Sequence, residues 1–190
     1  MATMTAATGL PWGRPLVRDD LDRMPDDGHR YELLDGSLLV SPAPRLSHQR
    51  AAFRLARLLD DACPSDLEVV VAPFDVVLGA DTVLLPDLLV ARRSDFTERE
   101  LSGAPVLAVE VLSPSTRRID ITVKRDRFRA AGTPSYWVVD PGEPSLTAWE
   151  LAPDGGYEEV ARVTGGDGAR LSRPYAVDVV PSDLVDDRGG

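Results

Sequence analysis

Val106-Leu107-Ala108-Val109-Glu110-Val111-Leu112 decides the fold, because the run is apolar throughout except for one acid. A strand apolar on both faces belongs to the covered middle of a sheet. The residues after it extend the pattern. Ser113 to Thr116 form a loop held by Pro114. A helix is expected from about Asp120 to Ala131, ended by Gly132 in the position favoured just past a helix C-terminus. Ser135 to Val139 then form another strand, stopped at Asp140-Pro141.

Working outward, Tyr31 to Leu34 and Ser37 to Val40 flank Asp35-Gly36. Asp-Gly between two such runs marks a two-residue hairpin turn, since both turn positions need positive φ. Pro42 and Pro44 break the chain after it. From Ser47 to Ala62, the residues Ala51, Phe53, Leu55, Ala56, Leu58 and Leu59 recur at helical spacing, with Arg50, Arg54 and Arg57 opposite. Leu67 to Leu78 and Thr82 to Ala91 read as strand-rich runs around the turn at Gly79-Ala80-Asp81. A short helix over Val17 to Met24 and a late hairpin, Thr147 to Leu151 with Tyr157 to Val163, complete the pattern. The order gives an α+β layer arrangement with one main sheet.

The chain has 190 residues, 43% hydrophobic and 27% charged, which is the composition of a soluble globular protein. One domain over residues 15–181 is the simplest count, with a flexible tail at 1–14 and a polar tail at 182–190. The single cysteine, Cys63, allows no internal disulfide, so a cytoplasmic setting is expected. No run approaches the roughly 20 apolar residues of a membrane helix. Residues 1–10 lack the basic start and apolar stretch of a signal peptide.

The net charge of −10 excludes a protein coated with basic residues for gripping nucleic acid. Such a ligand would need a local basic patch. Arg117, Arg118, Lys124, Arg125, Arg127 and Arg129, against Asp120 and Asp126, form that local excess. It reads either as a phosphate contact surface or as a solvated helix face.

Two acids carry the chemistry. Glu110 sits in the run quoted above, and Asp87 sits in Val83-Leu84-Leu85-Pro86-Asp87-Leu88-Leu89-Val90. An ionised carboxylate in a buried strand costs several kcal/mol unless a cation or hydrogen bonds compensate. Two such acids on successive strands point to a shared cation. Pro86 marks a bulge or strand start, where a neighbouring side chain is re-aimed. Lys124 is the only lysine among 21 basic residues. Lysine presents a compact ammonium that arginine does not reproduce. It lies one helical turn from Asp120. Several other polar residues have plainer readings: Asp140 shapes the turn before Pro141, Asp75 faces solvent, His48 donates at a helix start, Glu32 pairs with an arginine, and Asp120 begins its helix.

Pro86-Asp87, Glu110-Val111-Leu112-Ser113-Pro114-Ser115-Thr116, Asp120, Lys124, Gly132 and Tyr136-Trp137-Val138-Val139-Asp140-Pro141 together resemble the Uma-two family, described as "putative restriction endonucleases" and grouped with the PD-(D/E)xK nucleases. Tyr31-Glu32-Leu33-Leu34-Asp35-Gly36 and His48 match the same pattern, which spans roughly Tyr31 to Val163. The resemblance implies a restriction-endonuclease-like core: one central mixed β-sheet flanked by helices, plus an N-terminal hairpin. It implies Asp87 and Glu110 as ligands of Mg²⁺ or Mn²⁺, with the Val111 backbone carbonyl as a third. The superfamily pattern places its lysine at the position of Leu112, so Lys124 is read as the migrated replacement. Glu32 would reach the same site from the hairpin, as ligand, hydrogen-bond acceptor or base. His48, Asp120 and Ser113 would stand around these groups, and Arg117, Arg118 and Arg125 would contact phosphates. The implied function is metal-dependent hydrolysis of nucleic acid, DNA in the first instance, by a homodimer. A second reading keeps the fold as a binding or regulatory module without strong catalysis.

Overall fold

The computed structural model describes residues 13–185. The quoted run forms β8 (Leu107–Val111), paired in parallel with β9 (Ser135–Asp140) so that Glu110 lies opposite Val138. Parallel neighbours need a crossover. Here it is one helical stretch of three parts: α3 (Arg117–Ile119), a π-helical turn (Asp120–Lys124) and α4 (Arg125–Ala130). Gly132, at φ 85°, lies just beyond its end as expected. The stretch begins three residues earlier than the sequence suggested, so Asp120 does not start the helix but lies buried inside it.

Around β8 and β9 a mixed six-stranded sheet assembles, in the order β11-β10-β9-β8-β6-β3. Its other strands are β3 (Leu67–Val71), β6 (Leu88–Arg92), β10 (Ser145–Leu151) and β11 (Tyr157–Thr164). This is the central mixed sheet expected from the chain. The twofold alternation of strand side chains sorts its two faces. Leu107, Val109 and Val111 join Leu88, Val90, Trp137 and Val139 on one face, under α2 (Leu46–Asp61). Ala108 and Leu112 join Leu89, Ala91, Tyr136 and Val138 on the other, against Phe128 of α4. Glu110 alternates onto this second face.

The helix α2 packs through Ala51, Ala52, Leu55, Ala56 and Leu59, with His48 buried on the same side. Two residues placed on its apolar face by spacing belong elsewhere. Phe53 is 64% exposed and Leu58 also faces solvent, while Ala52 is buried in their stead. A stripe through positions 48, 51, 52, 55, 56 and 59 follows the 3.6-residue repeat more closely than one through 53 and 58.

The N-terminal hairpin, β1 (Arg30–Leu34) and β2 (Ser37–Ser41), turns at Asp35 and Gly36 with φ of 51° and 74°. A side chain at Gly36 would meet Pro15 Cβ at 2.4 Å, so both conformation and space require glycine. The hairpin does not stand alone. It forms the edge of a second, five-stranded sheet, β2-β1-β5-β4-β7, with β4 (Asp75–Gly79), β5 (Thr82–Leu84) and β7 (Glu100–Ser102). The run Thr82 to Ala91 is therefore two strands in two sheets. Pro86 offers no N–H to a ladder, and the Leu85 N–H is taken by the Glu32 carboxylate at 2.8 Å. Asp87 sits in the crossing between the sheets rather than inside a strand.

Beneath α2 lie β12 (Ala169–Leu171), β13 (Val177–Val179) and α5 (Pro181–Val185), whose Leu171, Val179 and Leu184 join the α2 core. The region read as a polar tail from residue 182 thus opens with a helix whose Leu184 is fully buried. Residues 1–12 and 186–190, the rest of the expected tails, lie outside the described residues. Among the described residues no helix is long and apolar enough to cross a membrane.

Candidate active site

Four elements deliver charge to one place. Glu110 arrives near the C-terminal end of β8, Asp120 and Lys124 from the π-helical turn, Glu32 from β1, and Asp87 from the crossing before β6. All five are hidden: exposure is 2% for Glu32, 4% for Asp87, 3% for Glu110, 1% for Asp120 and 3% for Lys124. Buried charges persist only when paired, so their pairing is the first question.

Lys124 is the hub. Its ammonium lies 2.9 Å from Glu32, 3.2 Å from Glu110 and 3.5 Å from Asp120. Burial opposes its charge, but these three carboxylates outweigh burial and hold it protonated, with its pKa well above the ordinary lysine value. The π-helical turn sets this arrangement by placing Asp120 and Lys124 together on the inward side. Such turns recur at functional sites. Tyr136, buried on β9, donates its hydroxyl to the Asp120 carbonyl at 2.7 Å and so braces the turn.

Asp87 has a separate set of partners. Its carboxylate accepts from Arg30 at 2.7 Å and from the Val111 N–H at 2.9 Å, and lies 3.0 Å from His48 Nε2. Burial pushes its pKa up, but His48, Arg30 and the Val111 amide together hold it below the usual carboxylate value. Glu110 goes the other way. Burial pushes it well up, and the charges of Asp120, Asp87 and Glu32 add to this against the pull of Lys124. Asp120 is raised as well, chiefly by burial. One of its oxygens, Oδ1, is buried with no hydrogen-bond partner, as is His48 Nδ1.

These residues line a cleft of about 670 Å³. One wall is Pro42 to Arg45 with Ser47; the facing wall is Ser113 to Arg117 with Asp140 to Glu143. The structure thus brings together Asp87, Glu110, Lys124, Glu32, His48, Asp120, Val111 and Ser113, all named from the sequence. The Ser113 hydroxyl itself bonds to those of Ser115 and Thr116.

The basic run does not gather in the same way. Arg117 lines the cleft, but paired with Asp140. Arg118 is exposed away from the lining residues, and the Arg125 guanidinium lies over the Trp149 ring at 5.3 Å. Arg127 pairs with Asp35, and Arg129 donates to the Gly155 carbonyl. The cations that do border the cleft besides Arg117 and Lys124 are Arg30 and Arg45, which sequence reasoning missed. Arg30 lies 57 positions from Asp87 along the chain, and no local pattern announces that pair.

The donor set fits a divalent cation. Carboxylates outnumber the cations that face them: Glu32, Asp87, Glu110 and Asp120 against Lys124 and Arg30. The unpartnered Asp120 oxygen and the raised Glu110 both express that surplus. Among the described residues no three His, Cys, Asp or Glu side chains form a ready cage. Such a cage is not what Mg²⁺ requires, since it is commonly held by one or two carboxylates, waters and substrate phosphate.

In a comparison with solved structures, the chain is similar to the crystal structure of a "putative nuclease belonging to DUF820" from Anabaena variabilis ATCC 29413. The TM-score is 0.72 at 20% identity, over 90% of this chain and 98% of that one, a likeness that speaks for the fold. No curated protein matches the chain. The model of the Uma2 family, described as "Putative restriction endonuclease", matches residues 18–179. The chain belongs to the Uma2 family.

Proposed function

We propose that this protein hydrolyses phosphodiester bonds of nucleic acid, with DNA as substrate and Mg²⁺ or Mn²⁺ held by Asp87 and Glu110. The observation that carries the reading is the convergence of Glu32, Glu110 and Asp120 on one buried lysine, in a cleft shared with Asp87. A fold seeking only stability would fill such a space with apolar side chains.

The residues divide the work. Asp87 and Glu110 hold the ion, with the Val111 carbonyl as the third donor that the family pattern implies. A divalent ion there supplies Lewis acidity towards water and the scissile phosphate. Lys124 offers its ammonium to the phosphate oxygens, where charge develops in the transition state. Glu32 and Asp120 fix the position of Lys124. His48 and Arg30 orient Asp87, as partners of ligating carboxylates commonly do.

Cleavage of a panel of DNAs should require Mg²⁺ or Mn²⁺, and should be lost in Asp87→Ala and in Glu110→Ala. Cleavage that survives both substitutions would remove the assignment.

A further inference from the structure

The cleft has features that bear on which form of nucleic acid it admits. The first is depth. None of Glu32, Asp87, Glu110, Asp120 and Lys124 is more than 4% exposed, so a scissile phosphate must enter the cleft to meet them. The cleft volume, about 670 Å³, is that of a small-molecule pocket. It has room for a short length of one strand, and not for a duplex whose major groove alone is about 12 Å wide.

The second is charge. Of the basic residues lining the cleft, Arg30 is paired with Asp87, Arg117 with Asp140, and Lys124 with its three carboxylates. Arg45 alone among those lining cations has no ion pair among the described residues. Proteins that grip duplex DNA neutralise roughly 6–10 phosphates, which this cleft and a net charge of −10 do not supply.

The third is the lining. Among the described residues no aromatic side chain borders the cleft, so it has no platform on which bases would stack. Hydroxyls of Ser47, Ser113, Ser115 and Thr116 do border it, and these suit phosphate and sugar oxygens.

Resting on the hydrolytic reading above, we propose that the substrate is an unpaired strand, single-stranded DNA or the single-stranded end of a duplex. It enters backbone first and is cut without regard to base.

The test compares one oligonucleotide as a single strand, as a blunt duplex and as a duplex with a single-stranded overhang, with the full chain and Mn²⁺. The single strand and the overhang should be cut at least about tenfold faster than the blunt duplex, at sites independent of sequence. Equal or faster cutting of the blunt duplex overturns the proposal and leaves the hydrolytic reading intact. Cleavage of none of the three overturns the hydrolytic reading, and binding then decides the strand preference. Glu110→Gln protein should bind the single strand at least about tenfold tighter than the duplex; equal, reversed or absent binding rejects it. With one or two phosphate contacts, a fourfold rise in salt should weaken single-strand binding only about three- to sevenfold. A loss of a thousandfold or more would mark a duplex-type basic surface and contradict the proposal.

Discussion

The two faces of the six-stranded sheet are built by the same strands and serve opposite ends. Under α2, the side chains of β6, β8 and β9 meet Ala51, Leu55 and Leu59 in an apolar layer. On the opposite face, the same alternation that buries Ala108 and Leu112 also buries Glu110, beside Asp120 and Lys124. One face contributes stability through burial alone. The other gives up stability to keep charges out of water, which is the usual bargain at a working site. The difference teaches that a buried charge cluster is best tested by asking which substitutions stabilise the protein as well as which destabilise it.

The largest expected effect lies on the charged face. Lys124→Met removes the cation shared by Glu32, Glu110 and Asp120, and should lower unfolding free energy by about 3–5 kcal/mol in urea titrations. A neutral result would mean that the carboxylates do not depend on it. On the apolar face, Leu55→Ala should cost about 2–5 kcal/mol by opening a cavity in a fully buried layer. Its cost should not vary with pH, because no titrating group faces that position in the core cluster.

The smallest effect has the opposite sign. Glu110→Gln should stabilise the metal-free protein by about 1–2 kcal/mol, since it removes the carboxylate that burial and its acidic neighbours disfavour most. The direction with pH follows from linkage. A carboxyl whose pKa is raised in the folded state adds no penalty below its unfolded value of about 4.3. The penalty builds as pH rises from there through the folded pKa. The gain in Glu110→Gln should therefore be absent in acid and full at neutral pH or above, read as the difference in thermal midpoint. A gain that shrinks as pH rises would break the comparison.

Much of this was legible in the chain because it is local. An acid inside Val106 to Leu112 stands out against its neighbours, a lone lysine stands out against twenty arginines, and Asp35-Gly36 announces its own turn. The hidden parts depend on contacts far apart in sequence. Thr82 to Ala91 reads as one run, and only the packing of two sheets shows that it divides at Pro86. Arg30 reaches Asp87, and Arg127 reaches Asp35, through pairs that leave no spacing signal. The π-helical turn at Asp120–Lys124 likewise has no signature in composition; it shows only in how the helical stretch places both side chains inward. Phe53 was misplaced because alternative stripes on a helix differ by one position, and the burial of Ala52 decides between them.

The central claim is that Asp87 and Glu110 hold one divalent ion, and calorimetric titration of the folded protein with Mn²⁺ tests it most directly. The expected result is one site per chain, with the heat of binding lost in both Asp87→Asn and Glu110→Gln. Absence of Mn²⁺ and Mg²⁺ binding to the folded wild-type chain, or binding unchanged in both variants, would contradict the account.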